Sequence, residues 1–314
     1  MKFDDAVAYH HLMSRTVNGE ALFGGLEREV MRKMIWQVAE FSGVRVITYA
    51  VMKNHFHLLV EVRECSEVVS DEELVRRYRI LYPKPTPWQP MSAEAVEAVF
   101  RKGGAEAESL RKILLSRMND VSELMKTLKQ RFTLWFNRSH NRFGPLWAER
   151  FKSVLVEGDH FALETVAAYI DLNPVRAGIV KDPKDYRFCG YGEAVGGGRL
   201  ARSGLLSLYR SLKDCRQVLF GAAYEERSGK SSVDREEALR VLNVEKGSLP
   251  LHVLLRCRVR YFTDGFVLGS PSFVERSLNS IAETTKRSRK PHAVRGTVSG
   301  DLAVGRGLRK NLFS

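Results

Sequence analysis

Two histidines in the sequence have a spacing that could support metal chemistry. His55 and His57 flank Phe56 in an apolar segment that predicts a strand. Because side chains alternate across a strand, both imidazoles must emerge on one face, where they can share a divalent metal. The alternative is that one is a buried histidine with satisfied hydrogen bonds and the other lies at the surface. The spacing by itself does not decide between these interpretations.

A tyrosine and an asparagine form a second pair. Tyr169 and Asn173 are four residues apart in a segment with helical periodicity, so the phenol and the carboxamide share one helix face. The two side chains therefore point the same way. Two simpler interpretations stay open, because Tyr169 could be a core aromatic residue and Asn173, which precedes Pro174, could end the helix.

The hydropathy pattern predicts the elements that must position these side chains. They are strand 9–16, helix 26–41 closed by Gly43, strands 45–52 and 55–62, helix 121–136, strand 151–156, and helix 161–170 with Asp159 as N-cap and Pro174 as a stop or kink after Asn173. This order fits an antiparallel sheet with helices packed on it. We therefore predict an α+β fold that resembles the ferredoxin-like arrangement.

The remaining segments differ in character from this core. We predict a catalytic domain over 1–191 that carries an inserted surface excursion with short helices over about 63–118. A triple glycine at 196–198 precedes a small helical accessory region, which we place at 199–280 and regard as a candidate DNA-binding region. Residues 281–314 contain eight Lys or Arg and two acidic residues, which predicts a basic, flexible tail.

Composition limits the compartment and the partners. Of the 314 residues, 44% are hydrophobic, enough for a sizeable core, and the net charge of +13 favours polyanionic partners such as nucleic acid. The four cysteines are dispersed without a CxxC pair, so we expect neither a disulfide framework nor a zinc site. The sequence contains no run of about 18 apolar residues, the length that a membrane span needs. We therefore expect a soluble protein of a reducing, cytoplasmic compartment.

Three motifs, in order along the chain, resemble those of a known family. They are His55-Phe56-His57, the stretch GPLWAERFKS at 144–153, and the stretch YIDLNPVRAG at 169–178. The chain resembles the HUH single-tyrosine transposases, and within them the REP-associated tyrosine transposases, over about residues 9–191. Family members carry a His-hydrophobe-His motif, a G-x-LW-x-x-RFKS stretch and a nucleophile helix close to YIxxNPVRAG.

The resemblance implies an activity and a set of site residues. The implied activity is a metal-dependent single-stranded DNA endonuclease and strand transferase that recognises DNA hairpins, such as REP-like palindromic repeats. Tyr169 is the implied nucleophile, which forms a 5′-phosphotyrosine, with His55 and His57 as further catalytic residues. The implied ligands of Mg²⁺ or Mn²⁺ are His55, His57 and Asn173. The protein is expected to act as a monomer or as a homodimer.

Positive charge near the motifs could bind the DNA backbone. We expect Arg142, Arg150 and Lys152 to follow phosphates and Trp147 to stack on bases, although Trp147 could equally be a core residue. Arg176 is expected either to contact the scissile phosphate or to face solvent. His10 and His11 lie on the first predicted strand, so one of them is expected to face the active side of the sheet, but no motif assigns it a role.

Two other functions compete with transposition. One is a nicking enzyme of replication initiation or conjugation, which shares HUH chemistry but does not share the YIDLNPVRAG context. The other is a domesticated hairpin-binding protein that does not cut. A protein–DNA adduct that survives denaturation would separate the enzyme from the binding protein.

Overall fold

The structure is a computed structural model of the chain, and it describes residues 7–64, 69–86, 89, 91–220, 261–285, 292–293 and 302–305. Its strands are β1 (Val7–Arg15), β2 (Arg45–Val51), β3 (His55–Arg63), β4 (Lys152–Val156), β5 (Val267–Gly269), β6 (His292–Ala293) and β7 (Ala303–Gly305). The α-helices before the central gap are α1 (Gly25–Ser42), α2 (Asp71–Leu81), α3 (Ala93–Lys102), α4 (Gly104–Leu115), α5 (Val121–Ser139), α6 (His160–Asp171), α7 (Asn173–Arg176), α8 (Gly190–Val195), α9 (Arg199–Leu206) and α10 (Leu212–Phe220). Two more, α11 (Tyr261–Asp264) and α12 (Pro271–Thr285), follow it.

The central sheet has the predicted ferredoxin-like arrangement. Its first four strands are ordered β2-β3-β1-β4, and every neighbouring pair among them is antiparallel. In the register of the sheet, Arg15 lies opposite His55 and Met13 lies opposite Lys152. The end of β1 and the starts of β3 and β4 therefore meet at one end of the sheet. The α+β fold predicted from the sequence is confirmed.

Local signals explain where α1 ends and where α6 begins. Gly43 follows α1 with φ of 66°, a left-handed conformation that glycine adopts without steric cost. At the start of α6, the carboxylate of Asp159 accepts hydrogen bonds from the backbone N–H groups of Phe161 and Ala162. Both ends agree with the sequence prediction. Asp159 fixes where α6 starts and hence where its side chains point.

The helix that carries Tyr169 breaks before Asn173 and not after it as predicted. It ends at Asp171, and a new turn, α7, begins at Asn173 with Pro174 in its first turn. Proline has no N–H to donate, and the first turn of a helix needs none, so Pro174 starts this turn instead of ending the previous helix. Leu172 joins the two helices with helical dihedral angles, which keeps Asn173 close to one turn beyond Tyr169.

The predicted excursion contains helices α2, α3 and α4. Leu74, Tyr78 and Leu81 of α2 are buried in the same hydrophobic cluster as the central sheet. The Arg111 guanidinium of α4 binds both carboxylate oxygens of Asp71 at 2.9 Å, which ties the last of these helices to the first. The excursion is therefore packed against the core through α2.

The region after residue 199 differs from its prediction. Helices α9, α10, α11 and α12 lie in or start within the predicted helical accessory region, which also contains β5, a strand that the prediction did not include and that pairs in parallel with β4. β5 also pairs with β7, so part of the segment predicted as a flexible tail is a buried strand of the sheet. The sequence also has helical patterns at 236–242 and 251–262, which lie outside the described residues except for Tyr261 and Phe262, as does most of 281–314.

Among the described helices, none combines the length and the apolar character that crossing a bilayer requires.

Candidate active site

An open cleft of about 920 Å³ lies at the end of the sheet where β1, β3 and β4 meet. It holds both histidines of the HUH motif together with Tyr169 and Asn173. Its Lys, Arg, Asp and Glu residues are five cations and one carboxylate: Arg15, Lys53, Arg150, Lys152, Arg176 and Glu149. This balance favours an anionic ligand.

The two motif histidines stand side by side on β3, as strand alternation predicts. Their ring centroids are 5.1 Å apart, and the Nδ1 atom of His55 is 2.7 Å from Oδ1 of Asn54. Burial, together with the nearby charge of Arg15, lowers the pKa of His55 to about 4. Burial also lowers the pKa of His57 well below its ordinary value. Both rings are therefore neutral at pH 7, the form in which imidazole binds metals.

Helix α6 delivers Tyr169 to the same place from a distant part of the chain. The Tyr169 ring is 7% exposed and meets the His57 ring edge-on, with centroids 6.2 Å apart. The ring also packs on Phe262, at 4.7 Å between centroids. The interpretation of Tyr169 as only a core aromatic residue does not account for its position on the wall of the cleft.

Asn173 lies beside the histidines and has an unsatisfied polar atom. Its side chain is hydrogen-bonded with that of His55, whereas its Nδ2 atom is buried without a hydrogen-bond partner. Buried polar groups are nearly always paired, and an orphan in a native structure points to a missing ligand or a functional role. The predicted ligands His55 and Asn173 therefore lie together, and the unsatisfied Nδ2 atom is a donor suited to an acceptor such as a phosphate oxygen.

The donor types of this set fit a divalent cation. Two neutral imidazoles and a carboxamide oxygen leave coordination positions open for phosphate oxygens and water. Within the described part of the chain, no group of three or more His, Cys, Asp and Glu residues is placed to hold a metal ion. The predicted set is not such a group, because its third member, Asn173, is an asparagine.

Arg176 is buried beside the nucleophile candidate and does not face solvent. Its side chain is 7% exposed, with Cζ 3.9 Å from the centroid of the Tyr169 ring. Its Nη2 atom donates a hydrogen bond of 2.6 Å to the carbonyl oxygen of Tyr169. The alternative of a solvent-facing Arg176 is wrong. Arg176 holds Tyr169 from both its ring and its backbone.

The loop between α5 and β4 brings a further basic edge to the cleft. The backbone N–H of Ala148 donates to the carbonyl oxygen of Arg15, so the loop runs beside the end of β1. Arg150 is exposed at the mouth of the cleft, and Lys152 lines it with Nζ 3.8 Å from the carboxylate of Glu149. Both add positive charge to this edge of the cleft.

Two predicted DNA-binding residues lie elsewhere. Arg142 is not part of the lining of the cleft. Trp147 packs against the core rings of Phe23 and Phe56, and its indole N–H donates to Oγ1 of Thr133 at 2.9 Å. Its half-buried ring also borders a neighbouring groove of about 790 Å³ that shares Arg150 with the cleft. The core interpretation of Trp147 describes most of its contacts.

Sequence reasoning missed a carboxylate that fixes α6 from behind. Asp171 is 1% exposed, and its Oδ1 atom accepts hydrogen bonds from the Thr48 hydroxyl at 3.0 Å and from the backbone N–H of Tyr191 at 2.8 Å. Burial raises its pKa to about 7. A Cβ atom at Gly190 would collide with Thr48, so glycine permits this close approach. The signal in the sequence was a single acidic residue in an otherwise apolar helix.

Sequence reasoning also left His11 without a role. His11 lies on β1 on the face that carries His57, and the two rings are joined by a hydrogen bond of 2.9 Å. His10 points to the opposite face, where its Nδ1 atom lies 3.3 Å from Oγ of Ser153. Period-two alternation along β1 and β3 together could have separated these two histidines.

Comparisons with known proteins bear on the first part of this arrangement. Residues 6–78, which include the HUH motif, match the model of the family described as Transposase IS200 like. This segment resembles the IS200-like transposases. The resemblance drawn from the sequence is thereby confirmed for a stretch that covers less than half of the chain. The IS200-like segment supplies His55 and His57, whereas Tyr169 and Asn173 come from residues beyond it.

Other comparisons add less. No curated protein matches the chain significantly. Among solved structures, a REP-associated tyrosine transposase bound to a REP hairpin aligns with a TM-score of 0.38 and 14% sequence identity. That alignment covers 67% of this chain and 86% of the other. A likeness at this TM-score is weak.

Proposed function

We propose that this protein is a metal-dependent endonuclease and strand transferase for single-stranded DNA, which recognises hairpins and cuts through a 5′-phosphotyrosine. The observation that supports the proposal is the meeting of His57 and Tyr169 across one cleft, with ring centroids 6.2 Å apart. These residues come from different parts of the chain and match two separate motifs. A core tyrosine and an unrelated histidine pair would have no reason to converge beside five cations.

The cation of the proposed reaction would be Mg²⁺ or Mn²⁺, held by His55, His57 and Asn173. When bound, it would supply positive charge to the phosphate oxygens on which negative charge accumulates in the transition state. The chain prepares the donor set by keeping both imidazoles neutral through burial. The unpaired Nδ2 atom of Asn173 means that protein groups do not fully satisfy this amide.

The proposed chemistry is a transesterification at phosphorus. The Tyr169 oxygen forms a bond to the phosphorus, the bond from phosphorus to the 3′ oxygen breaks, and the phenolic proton is lost as the leaving oxygen becomes a 3′-OH. The number of phosphoester bonds is unchanged, so a later attack by a 3′-OH can reverse the step and join strands without ATP. Arg176 holds the ring and backbone of Tyr169 during this exchange.

The partner that fits the charge of the cleft is a nucleic-acid strand. Arg15, Lys53 and Arg150 line the cleft with cationic groups that can neutralise successive phosphates. A hairpin with a single-stranded flank would present both a duplex to grip and a flexible strand that can reach Tyr169. The enzyme would meet such DNA in the cytoplasm. Tyr169 lies near the histidines of its own chain, which supports action in cis.

The test is formation of a covalent adduct. The wild-type protein is incubated with single-stranded DNA that carries the inverted repeats flanking its gene, with Mg²⁺, with Mn²⁺ or with EDTA, and resolved on a denaturing gel. We expect an adduct that needs the metal and is absent in Tyr169→Phe. The matched control is Tyr9→Phe, which removes a hydroxyl from a residue that does not line the cleft.

Each outcome has a defined meaning. An adduct that persists in Tyr169→Phe would overturn the nucleophile assignment. Hairpin binding without an adduct under any metal condition would overturn the nuclease and support a hairpin-binding protein. An adduct that forms equally well in EDTA would overturn the metal dependence.

A further inference from the structure

His11 is a buried histidine that the proposed reaction does not use. It is 0% exposed and makes two polar contacts, one from each ring nitrogen. Nδ1 lies 2.9 Å from the carbonyl oxygen of Phe262, and Nε2 lies 2.9 Å from Nδ1 of His57. His11 therefore stands between a backbone carbonyl in α11 and a histidine of the HUH motif.

The chemistry of these partners fixes the direction of both hydrogen bonds. A carbonyl oxygen can only accept, so the proton of a neutral His11 ring lies on Nδ1 and is donated to Phe262. The Nε2 atom of His11 then has only a lone pair and must accept. The donor in the second hydrogen bond is therefore Nδ1–H of His57. Since a neutral imidazole carries one ring proton, Nε2 of His57 has a free lone pair.

We infer that His11, held by the carbonyl of Phe262, is a positioning residue that keeps His57 in the Nδ1–H tautomer and so leaves its Nε2 atom to bind a divalent cation. A metal-binding histidine commonly donates its other N–H to a neighbouring acceptor, which fixes the tautomer and the orientation of the ring. Here the acceptor is another imidazole. The inference rests on the proposed function only where it names the cation.

The other motif histidine also has a protein acceptor near Nδ1. Nδ1 of His55 lies 2.7 Å from Oδ1 of Asn54, and an amide oxygen can only accept. His55 thus has a protein acceptor at Nδ1, and its side chain is also hydrogen-bonded with that of Asn173. For His55 the acceptor is the adjacent residue, Asn54. For His57 the acceptor is His11, which is itself held by a hydrogen bond to Phe262, 251 positions away in the chain.

Phe262 brings a second constraint to the same place. Its ring packs on Tyr169 with centroids 4.7 Å apart, while its carbonyl oxygen holds His11. One residue of α11 therefore contacts both the tyrosine side and the histidine side of the site. This makes a segment far outside residues 6–78 part of the candidate active site.

The tautomer can be measured directly. The wild-type protein is labelled with ¹⁵N-histidine, and the ring nitrogens of His57 are identified by their loss in a His57→Asn variant. In the protein without metal we expect a protonated Nδ1 and an unprotonated Nε2. A His57 ring protonated on Nε2 alone, or a His11 ring protonated on both nitrogens, would overturn the inference.

Variants of His11 test the consequence for metal binding. His11→Leu removes the acceptor, whereas His11→Gln places an amide oxygen near the position of Nε2. Measured by EPR of added Mn²⁺, the affinity of His11→Leu should fall about 10- to 100-fold, the range typical for loss of a group that orients a ligand. His11→Gln should retain most of the affinity. His10→Leu is the matched control, because His10 lies next in sequence on the opposite face.

The outcomes separate this inference from the proposed function. Wild-type affinity in a folded His11→Leu variant would overturn the role of His11. Absence of Mn²⁺ binding by the wild-type protein would overturn the metal set of the proposed function, and the His57 tautomer would then decide the role of His11. A His11→Leu variant without a thermal unfolding transition has failed to fold, and in that case the tautomer and His11→Gln decide.

Discussion

Arg176 encloses Tyr169 on two sides: its guanidinium carbon stands 3.9 Å from the ring centroid, and its Nη2 atom donates to the Tyr169 carbonyl oxygen at 2.6 Å. The two residues lie on consecutive helices, α6 and α7, that join at Leu172. Arg176 thus connects the helix of the tyrosine with the helix that carries Asn173. Its position couples the orientation of Tyr169, the proposed nucleophile, to that of Asn173, a proposed metal ligand.

Replacing Arg176 should slow adduct formation more than it weakens DNA binding. Arg176→Gln removes the cation over the ring, and a small displacement of a reacting group can cost about 10²-fold in rate. Single-turnover adduct formation gives the rate, and hairpin binding at equilibrium gives the affinity. Arg187→Gln is the control. Arg187 also lies over an aromatic ring, that of Phe188, but its side chain is exposed and does not line the cleft. Equal losses of rate in both variants would contradict the positioning role.

Tyr169 should act on DNA held by its own chain. The His57 and Tyr169 rings of one chain are 6.2 Å apart, so no exchange of helices between chains is needed to complete the site. A mixture of Tyr169→Phe and His57→Ala proteins should therefore form no adduct. Recovery of adduct in the mixture would show that the tyrosine is contributed in trans.

Asn173 should contribute to the affinity for Mn²⁺. Asn173→Ala removes the amide beside His55 and should weaken binding of Mn²⁺ measured by EPR. Asn173→Asp should bind at least as tightly as the wild type, because carboxylates suit Mn²⁺ and add negative charge. An unchanged affinity in a folded Asn173→Ala protein would remove Asn173 from the ligand set.

Loss of the Asp171 carboxylate should destabilise the fold. Asp171→Ala leaves the Thr48 hydroxyl and the Tyr191 N–H without an acceptor, and each unsatisfied buried group costs about 1–3 kcal/mol. Urea unfolding measures the loss. Asp171→Asn keeps one oxygen acceptor and should lose less. If Asp171→Ala unfolds at the wild-type urea midpoint, Asp171 does not fix α6.

The binding of DNA phosphates by the cleft should appear in the salt dependence of hairpin binding. Arg150 and Lys152 line the cleft, and removing one phosphate-binding cation should reduce the slope of log affinity against log salt by about 0.7 for a single strand. The double variant Arg150→Ala with Lys152→Ala should therefore show a slope smaller by about 1.4. Arg79→Ala on α2, whose guanidinium faces Glu97, is the control. An unchanged slope in the double variant would place the strand away from this edge.

The elements of the core could be predicted because each one has a clear hydropathy period and a local stop signal. Strand alternation placed His55 and His57 on one face, and Gly43 and Asp159 fix helix ends as predicted. Neither signal brings Tyr169 to the histidines. The prediction that Tyr169 joins the histidines came from the resemblance of three motifs to a family. The contact itself depends on the tertiary packing of α6 against the sheet.

The features that escaped prediction are those without a local period. β5 is three residues long, too short for alternation to be recognised, and it becomes a strand by pairing with β4. The contact of His11 with Phe262 joins residues 251 positions apart, so no window of sequence contains it. The role of Asp171 depends on the hydroxyl and the N–H that face it, and the sequence does not show which groups these are.

The link between His11 and Phe262 also has a consequence for the time at which the site is completed. Protein synthesis runs from the N-terminus, so the motif histidines and Tyr169 leave the ribosome well before Phe262 does. A nascent or truncated chain that ends before residue 262 lacks the carbonyl that holds His11 and the ring that packs on Tyr169. The complete site therefore requires a chain that extends beyond residue 262, and shorter products that already carry the three motifs still lack it.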